Sequence, residues 1–250
     1  MVSIAAHTAL TFYTEYHWWW KGEARPFGVQ YEGFWNDYSY GVDKFGHFYT
    51  SYAEFLFGYE FMRWSGFDED ASIATAAGLT VFHAVTVELA DGFRRYRFSP
   101  DDLLFNSMGL MYGYLQIKEP FFRNFTFKWS YFPVYPAPFG GPFYITEDYD
   151  GHLYWLTADV HQLLPERFNG YWPSFLNLAV GYGAVNASKG ANGPLMRKFV
   201  IGLDYNLKAL PISGDIWDLF KGVLDRFHYP APGVKMGPER RTTVHPFILN

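Results

Sequence analysis

The chain has 250 residues, a length that suits one large domain or two small ones with a sizeable buried core. Aromatic residues make up 22% of the sequence and charged residues only 18%, which indicates a folded protein with many amphipathic rings at its surface. A formal net charge of -5 without a long basic tract argues against a nucleic-acid partner. The lack of cysteine excludes disulfides, thiolate metal ligands and a lipid-modified cysteine within these residues.

Helices are predicted in the first 120 residues, where apolar side chains recur at three- and four-residue steps. The start signals are clearest for the last two helices, an acidic cap at Asp68 and the pair Ser99-Pro100. No stretch resembles a signal peptide, and no uninterrupted apolar run is long enough to predict a transmembrane helix. The four predicted helices cover residues 3–20, 43–64, 69–90 and 100–117.

After residue 120 the pattern changes to an alternation of period two, which is typical of half-buried antiparallel strands. In one strand Leu178 and Val180 share a face and oppose Asn177 and Ala179. A short amphipathic helix is predicted at 215–228, followed by a Pro-rich tail. The strands resemble outer-membrane strands in length and in their aromatic face. A small sheet packed on the helices and a membrane-inserted or oligomeric sheet therefore both stay open.

The predicted fold class is α+β: an N-terminal bundle of about four aromatic-rich helices, then a small antiparallel sheet of about four strands and a short C-terminal helix. Residues 1–120 form the helical part, and residues 121–250 form the strands, the C-terminal helix and the tail. We expect the two parts to make one structural unit.

Three of the predicted helices each carry two polar residues three or four positions apart, and such residues share a helix face. If the three faces converge, their side chains form one polar site. Such a site could bind a divalent metal, perform acid–base chemistry, or only fix the helix packing through hydrogen bonds. The candidate catalytic residues are Asp43, His47, Glu88, Asp91, Asp102 and Asn106.

Simpler roles compete with this interpretation. Asp102 fits the acidic position of a capping box, and Asp43 fits a helix N-cap. Glu88 and Asp91 lie near the C-terminus of their helix, where the helix dipole disfavours anions, so they predict a nearby cation. His83 is interpreted as a satisfied core histidine. The candidates for the cation are Arg94, Arg95, Lys44 and a metal ion.

The segments DKFGHFYTSY, ELADGF and SPDDLLFNSMG, in this order and spacing, resemble the family of predicted periplasmic lipoproteins of unknown function. With later segments such as FLNLAVGYGA, the resemblance covers about residues 8–233. The helical part is also similar to the VanZ-like family of small membrane proteins. The VanZ-like pattern maps onto Asp43, Lys44, His47, Glu88, Asp102, Asn106 and Gly109.

The resemblance implies a bacterial cell-envelope protein on the periplasmic face, associated with a membrane that could be the outer membrane. One functional hypothesis is a non-enzymatic structural or accessory subunit, with a membrane and other envelope proteins as partners. The alternative is an enzyme that acts on an envelope lipid or glycan through the candidate polar residues. No nucleophile motif or phosphate-binding loop is present, and the sequence leaves any cofactor, metal or substrate undetermined.

Overall fold

The computed structural model describes residues 2–22, 24–134, 145–188, 191–237 and 242–249. Helices precede an antiparallel sheet, as predicted. The helices are α1 (Val2–Glu15, continued by a π-helical turn at Tyr16–Trp20), α2 (Val42–Trp64), α3 (Glu69–Gly92), α4 (Pro100–Lys118), α5 (Val160–Leu163) and α6 (Asp215–Leu224). The strands are β1 (Phe125–Tyr131), β2 (His152–Ala158), β3 (Leu176–Val185), β4 (Met196–Tyr205), β5 (Gly233–Met236) and β6 (Thr242–His245).

The predicted caps of α3 and α4 are present. The carboxylate of Asp68 accepts a hydrogen bond from the amide of Ala71 at 2.8 Å, and the Ser99 hydroxyl accepts one from the amide of Asp102 at 3.2 Å. The proposed N-cap role of Asp43 is wrong, because α2 begins at Val42 and follows a glycine with a φ of +85°. Asp43 lies in the first turn instead, so its carboxylate is available for the polar site.

Within the described residues the sheet has six strands in the order β1-β2-β3-β4-β5-β6, each antiparallel to its neighbour. The predicted number of about four is therefore wrong. Strands β1–β4 coincide with the four segments in which the sequence indicated strands, FTFKWSYFPVY, HLYWLTADV, FLNLAVGYGA and RKFVIGLDYNL. The two missed strands lie in the Pro-rich tail and have four residues each, too few to establish a period-two pattern. Residues 238–241 and 250 of that tail lie outside the described residues. The last helix ends at Leu224 rather than at residue 228.

Strands β3 and β4 expose large apolar residues on one face, and many of the residues buried on their other face are small or polar. Asn177, Ala179, Lys198 and Asp204 are buried on one face of β3 and β4. Register places Leu156, Val180 and Ile201 side by side on the other face. We call this surface the apolar sheet face, and its members, 40–55% exposed, are Leu156, Leu178, Val180, Phe199 and Ile201. The predicted alternation is correct, but the apolar side faces outward.

Helix α2 covers only one end of the apolar side of the sheet. Phe45 packs on the rings of Phe127, Tyr154 and Tyr182, with ring centroids 5.2–6.1 Å apart. The helical part and the sheet thus share one aromatic core. On the opposite face of the sheet, a second core includes Leu153, Trp155, Ala179, Val200 and Ile248.

By length and composition, α3 qualifies as a membrane-spanning helix among the described residues. We expected no such helix because polar residues such as Thr80 and His83 interrupt its apolar sequence. The core helix of a soluble protein would also meet this criterion. A core helix is mostly buried, however, and α3 exposes apolar residues at helical steps. These exposed residues include Val81, Phe82, Val85 and Leu89.

Gly109 marks the closest approach of α4 to α2, because a Cβ atom there would overlap the backbone carbonyl of Phe48. We expect Gly109→Ala to lower the free energy of unfolding by about 1–3 kcal/mol, since backbone atoms cannot move aside locally. Gly78→Ala in α3 is the matched control, because nothing lies within 4 Å of its added Cβ. That variant should gain up to about 1 kcal/mol from helix propensity. Denaturant unfolding measures both, and equal effects of the two substitutions would contradict this packing.

Candidate functional site

Lys44 lies at the centre of the site. Its side chain is fully buried, and its ammonium forms an ion pair with Glu32. Nζ also lies 3.1 Å from Asp43 Oδ2 and 2.6 Å from Asp102 Oδ1. The first turn of α2, the first turn of α4 and the segment before α2 therefore each bring a carboxylate to one ammonium. Sequence reasoning missed Glu32, because an irregular segment has no periodicity that would assign a side chain to a face.

His47 lies one turn after Asp43 on α2. Its Nε2 atom is 3.9 Å from Asp43 Oδ2 and 3.7 Å from Asp102 Oδ2. Its Nδ1 atom is 4.0 Å from Glu88 Oε1, at the end of α3. The His47 side chain is 23% exposed, so the site can be reached from solvent at this residue. We call six residues the polar cluster: Glu32, Asp43, Lys44, His47, Glu88 and Asp102.

The structure brings together four of the six predicted residues and gives the other two different partners. Asp91 accepts a hydrogen bond from the indole of Trp20 at 2.8 Å. Asn106 accepts one from the hydroxyl of Ser51 at 3.0 Å, one turn further along α2 and α4. Helical spacing predicted their faces correctly, but it could not predict which neighbour each side chain meets.

The cation predicted for Glu88 and Asp91 comes from none of the three basic residues named for that role. Arg94 donates to a backbone carbonyl, Arg95 pairs with a glutamate, and Lys44 binds the three carboxylates described above. Burial instead raises the pKa of Glu88 to about 8 and that of Asp91 to about 7. At pH values below these pKa values, protonation removes the unfavourable negative charge of both groups at the helix C-terminus.

The remaining members of the polar cluster stabilise one another's charge. Burial lowers the pKa of His47, but the nearby carboxylates Asp102 and Asp43 outweigh it and raise that pKa overall. Burial also acts to raise the pKa of Asp43, but His47 and Lys44 reverse this and lower the pKa overall. The cluster thus places the buried carboxyl of Glu88, whose pKa is raised, beside an imidazole whose pKa is also raised.

Two tyrosines extend the polar cluster toward the sheet. Tyr149, between β1 and β2, donates to Asp43 Oδ1 at 3.3 Å, and its oxygen lies 3.1 Å from the hydroxyl of Tyr38. The hydrogen bond from Tyr149 therefore holds Asp43 Oδ1 in place, while Oδ2 of the same carboxylate faces Lys44 and His47. One nitrogen and two oxygen atoms, from His47, Asp43 and Asp102, lie within 4.8 Å of one another and are suitable donors for a divalent metal.

A second buried group of ionisable side chains links α1 to α2 and α3. The two ring nitrogens of His83 lie 2.6 Å from Glu15 Oε1 and 2.9 Å from Glu54 Oε2. His83 thus has a partner on each side, as the interpretation of a satisfied core histidine required. Burial lowers the pKa of His83, but its hydrogen bonds to Glu15 and Glu54 raise it to about 10 overall.

We expect the stabilising effect of His83 to decrease as pH rises. The folded-state pKa lies above the ordinary histidine value of about 6.5, so the stabilisation is complete below that pH and is lost toward pH 10. The difference in unfolding free energy between the wild type and His83→Gln should shrink by about 1–2 kcal/mol from pH 7 to pH 9. Urea unfolding at both pH values measures it. A difference that stays constant would show that His83 is not a protonated partner of Glu15 and Glu54.

Comparison with known proteins adds one assignment to this geometry. No curated protein and no solved structure matched the chain. A family model matched the segment that carries the polar cluster, from Tyr31 to the end of α4. Over residues 31–118 the chain matches the family described as Predicted periplasmic lipoprotein (DUF2279), a family of unknown function. The protein is accordingly a bacterial envelope protein of the periplasmic face, associated with a membrane.

Proposed function

We propose that the protein is a non-enzymatic, membrane-associated accessory subunit of an envelope assembly. The observation that carries this proposal is the outward orientation of the apolar sheet face. Its five members are neighbours across three adjacent strands, so they form one continuous patch. Soluble monomers rarely expose large contiguous apolar patches, and such a patch marks an interaction with a membrane or a partner.

Lipid acyl chains are the occupant that best fits this surface. The patch is formed by side chains in the middle of the sheet, not by the hydrogen-bonding groups of an edge strand, so it offers apolar area without directional bonds. Lipid chains match such a surface because hydrophobic contact is non-directional. The family description, a periplasmic lipoprotein, is also that of a membrane-associated protein.

We place the protein on the membrane, with apolar side chains inserted, in preference to a crossing by α3. The exposed apolar residues of α3, such as Phe82 and Leu89, extend the apolar surface. The second half of this helix also contains His83, held between two glutamates, and Glu88 in the polar cluster. Ionisable groups in a bilayer core are costly, so this half of α3 is better suited to an interface.

Vesicle flotation tests the proposal. The full chain should float with phosphatidylethanolamine–phosphatidylglycerol vesicles in 0.5 M salt, because hydrophobic insertion is insensitive to screening. Ile201→Glu should reduce the bound fraction by at least about tenfold, since a charge on a lipid-facing strand position is costly. Thr243→Glu adds the same charge at an exposed position on the opposite face of the sheet and should float normally.

Recovery of the wild type as a soluble monomer that stays with the dense fraction in high salt would contradict membrane association. A soluble wild-type dimer that Ile201→Glu converts to a monomer would assign the apolar sheet face to a second copy of the chain. Equal flotation of both variants would show that this face is not the membrane contact.

An enzyme acting on an envelope lipid or glycan is the second candidate, because the polar cluster places a proton donor beside an imidazole. Glu88, with its raised pKa, is suited to donate a proton, and His47 is partly open to substrate. Incubation with envelope lipid and glycan extracts, followed by mass spectrometry, should then give products that Glu88→Gln does not form. Identical extracts with and without the wild type would contradict this alternative. The VanZ-like pattern of the helical part fits either candidate.

A further inference from the structure

We propose that Asp43, His47 and Asp102 bind a divalent transition-metal cation of the Zn²⁺ type. This inference goes beyond the proposed function, and it does not depend on membrane association. Imidazole nitrogen and carboxylate oxygen are the ligands that such ions take in proteins.

The three donor atoms are nearly in position. His47 Nε2 lies 3.9 Å from Asp43 Oδ2 and 3.7 Å from Asp102 Oδ2. Ligand atoms around a tetrahedral zinc ion are roughly 3.3 Å apart, given metal–ligand bonds of about 2 Å. All three donor atoms lie within 4.8 Å of one another, so side-chain rotations that shorten these distances toward about 3.3 Å would close the site. The partial exposure of His47 leaves an entry path for the ion.

The buried carboxyl of Glu88 supports metal binding at His47, separately from the donor distances. Its side chain is 1% exposed, and its Oε1 atom has no hydrogen-bond partner among the described residues. That oxygen lies 4.0 Å from His47 Nδ1, the ring nitrogen opposite the one that faces Asp43 and Asp102. A carboxylate that accepts from the far nitrogen of a metal-bound histidine is a recurrent arrangement, because it fixes the tautomer and the ring. Metal binding at Nε2 would bring Glu88 into this role.

The charges of the polar cluster also leave room for a divalent ion. Glu32, Asp43 and Asp102 contribute three carboxylates, and among the described residues Lys44 is the permanent cation paired with all three. One divalent ion beside a neutral His47 would balance these four groups, and an ionised Glu88 would leave the whole cluster with one net negative charge. Lys44 approaches Asp102 at Oδ1, whereas His47 faces Oδ2 of the same carboxylate, so the two oxygens can serve different cations. Tyr149 holds Oδ1 of Asp43. The proposed ligand atom, Oδ2 of Asp43, also lies 3.1 Å from Lys44 Nζ, so the ion and the ammonium would share that oxygen.

Titration of the metal-free full chain with Zn²⁺, followed by calorimetry, tests the site. We expect one ion per chain. Asp102→Asn and His47→Ala should each weaken binding at least tenfold. Glu88→Gln should weaken it by about tenfold, because it removes the carboxylate that orients the metal-bound histidine. The matched control is His17→Ala, which removes an exposed histidine outside the cluster and should bind like the wild type. Circular dichroism checks that every variant is folded.

X-ray absorption of the zinc-loaded wild type decides the question even if the variants unfold. One imidazole with carboxylate or water oxygens at about 2.0 Å is the expected ligand set. No binding by the wild type would overturn the proposal. So would two or more imidazoles around the ion, loss of binding in His17→Ala, or unchanged affinity in a folded His47→Ala variant.

Discussion

Replacement of Lys128 by methionine should lower the free energy of unfolding by about 3–5 kcal/mol, because it leaves buried carboxylates without a counterion. Lys128 is fully buried on β1, on the side of the sheet opposite the apolar sheet face. Its ammonium lies 2.8 Å from Asp204 Oδ2 and 2.9 Å from Asp225 Oδ1, and it donates to the carbonyl of Tyr205 at 3.0 Å. These contacts join β1, β4 and the end of α6.

Lys208→Met is the matched control for this prediction. The Lys208 side chain is 54% exposed, and its ammonium lies 3.9 Å from the other oxygen of Asp225. Such exposed pairs contribute at most about 1 kcal/mol, so this variant should unfold almost like the wild type. Denaturant unfolding of the two variants gives the comparison. If the Lys128 variant lost no more stability than the Lys208 variant, the buried network on the inner face of the sheet would be wrong.

Lys44→Met should also destabilise the protein by about 3–5 kcal/mol, because it removes the cation shared by three carboxylates. Glu32, Asp43 and Asp102 would then repel one another at close range. The double variant Lys44→Met/Glu32→Gln should recover part of this loss, since it removes one of the three charges. Urea unfolding at pH 7 measures both.

The control for Lys44 is Lys118→Met, at the end of α4. Lys118 pairs with Glu69 at 2.5 Å, but both side chains are partly exposed, so we expect this variant to unfold almost like the wild type. A Lys44 variant as stable as the Lys118 variant would indicate that the carboxylates of the polar cluster are not held by this ammonium. The same result would also remove the charge argument for the metal site.

Local signals predicted most of the helical part of this protein. The caps at Asp68 and Ser99 act within one helical turn, so the sequence alone reveals them. Spacing within α2, α3 and α4 likewise predicted which side chains share a face, and Asp43, His47, Glu88 and Asp102 do meet. The rotation of one helix against another is a tertiary property. For this reason Asp91 and Asn106 could not be separated from the others in advance.

The sheet shows the other limit of sequence reasoning. Alternation in β3 and β4 assigned Leu178 and Asn177 to opposite faces, but it could not tell which face the rest of the chain covers. The inner face buries Lys128 and Asp204 as an ion pair, so polar residues there are compensated and need not face water. Glu32 was missed for a related reason, because its role depends on a partner twelve positions away in an irregular segment.

We propose above all that the apolar sheet face contacts lipid. Because the sequence contains no cysteine, a single introduced cysteine allows a direct test. A single cysteine at Ile201, on the apolar sheet face, or at Thr243, on the opposite face, can carry an environment-sensitive fluorophore. Vesicles containing brominated phospholipids should strongly quench the probe at Ile201 and leave the probe at Thr243 nearly unchanged. Equal quenching at the two positions, or none at Ile201, would contradict the proposed membrane contact.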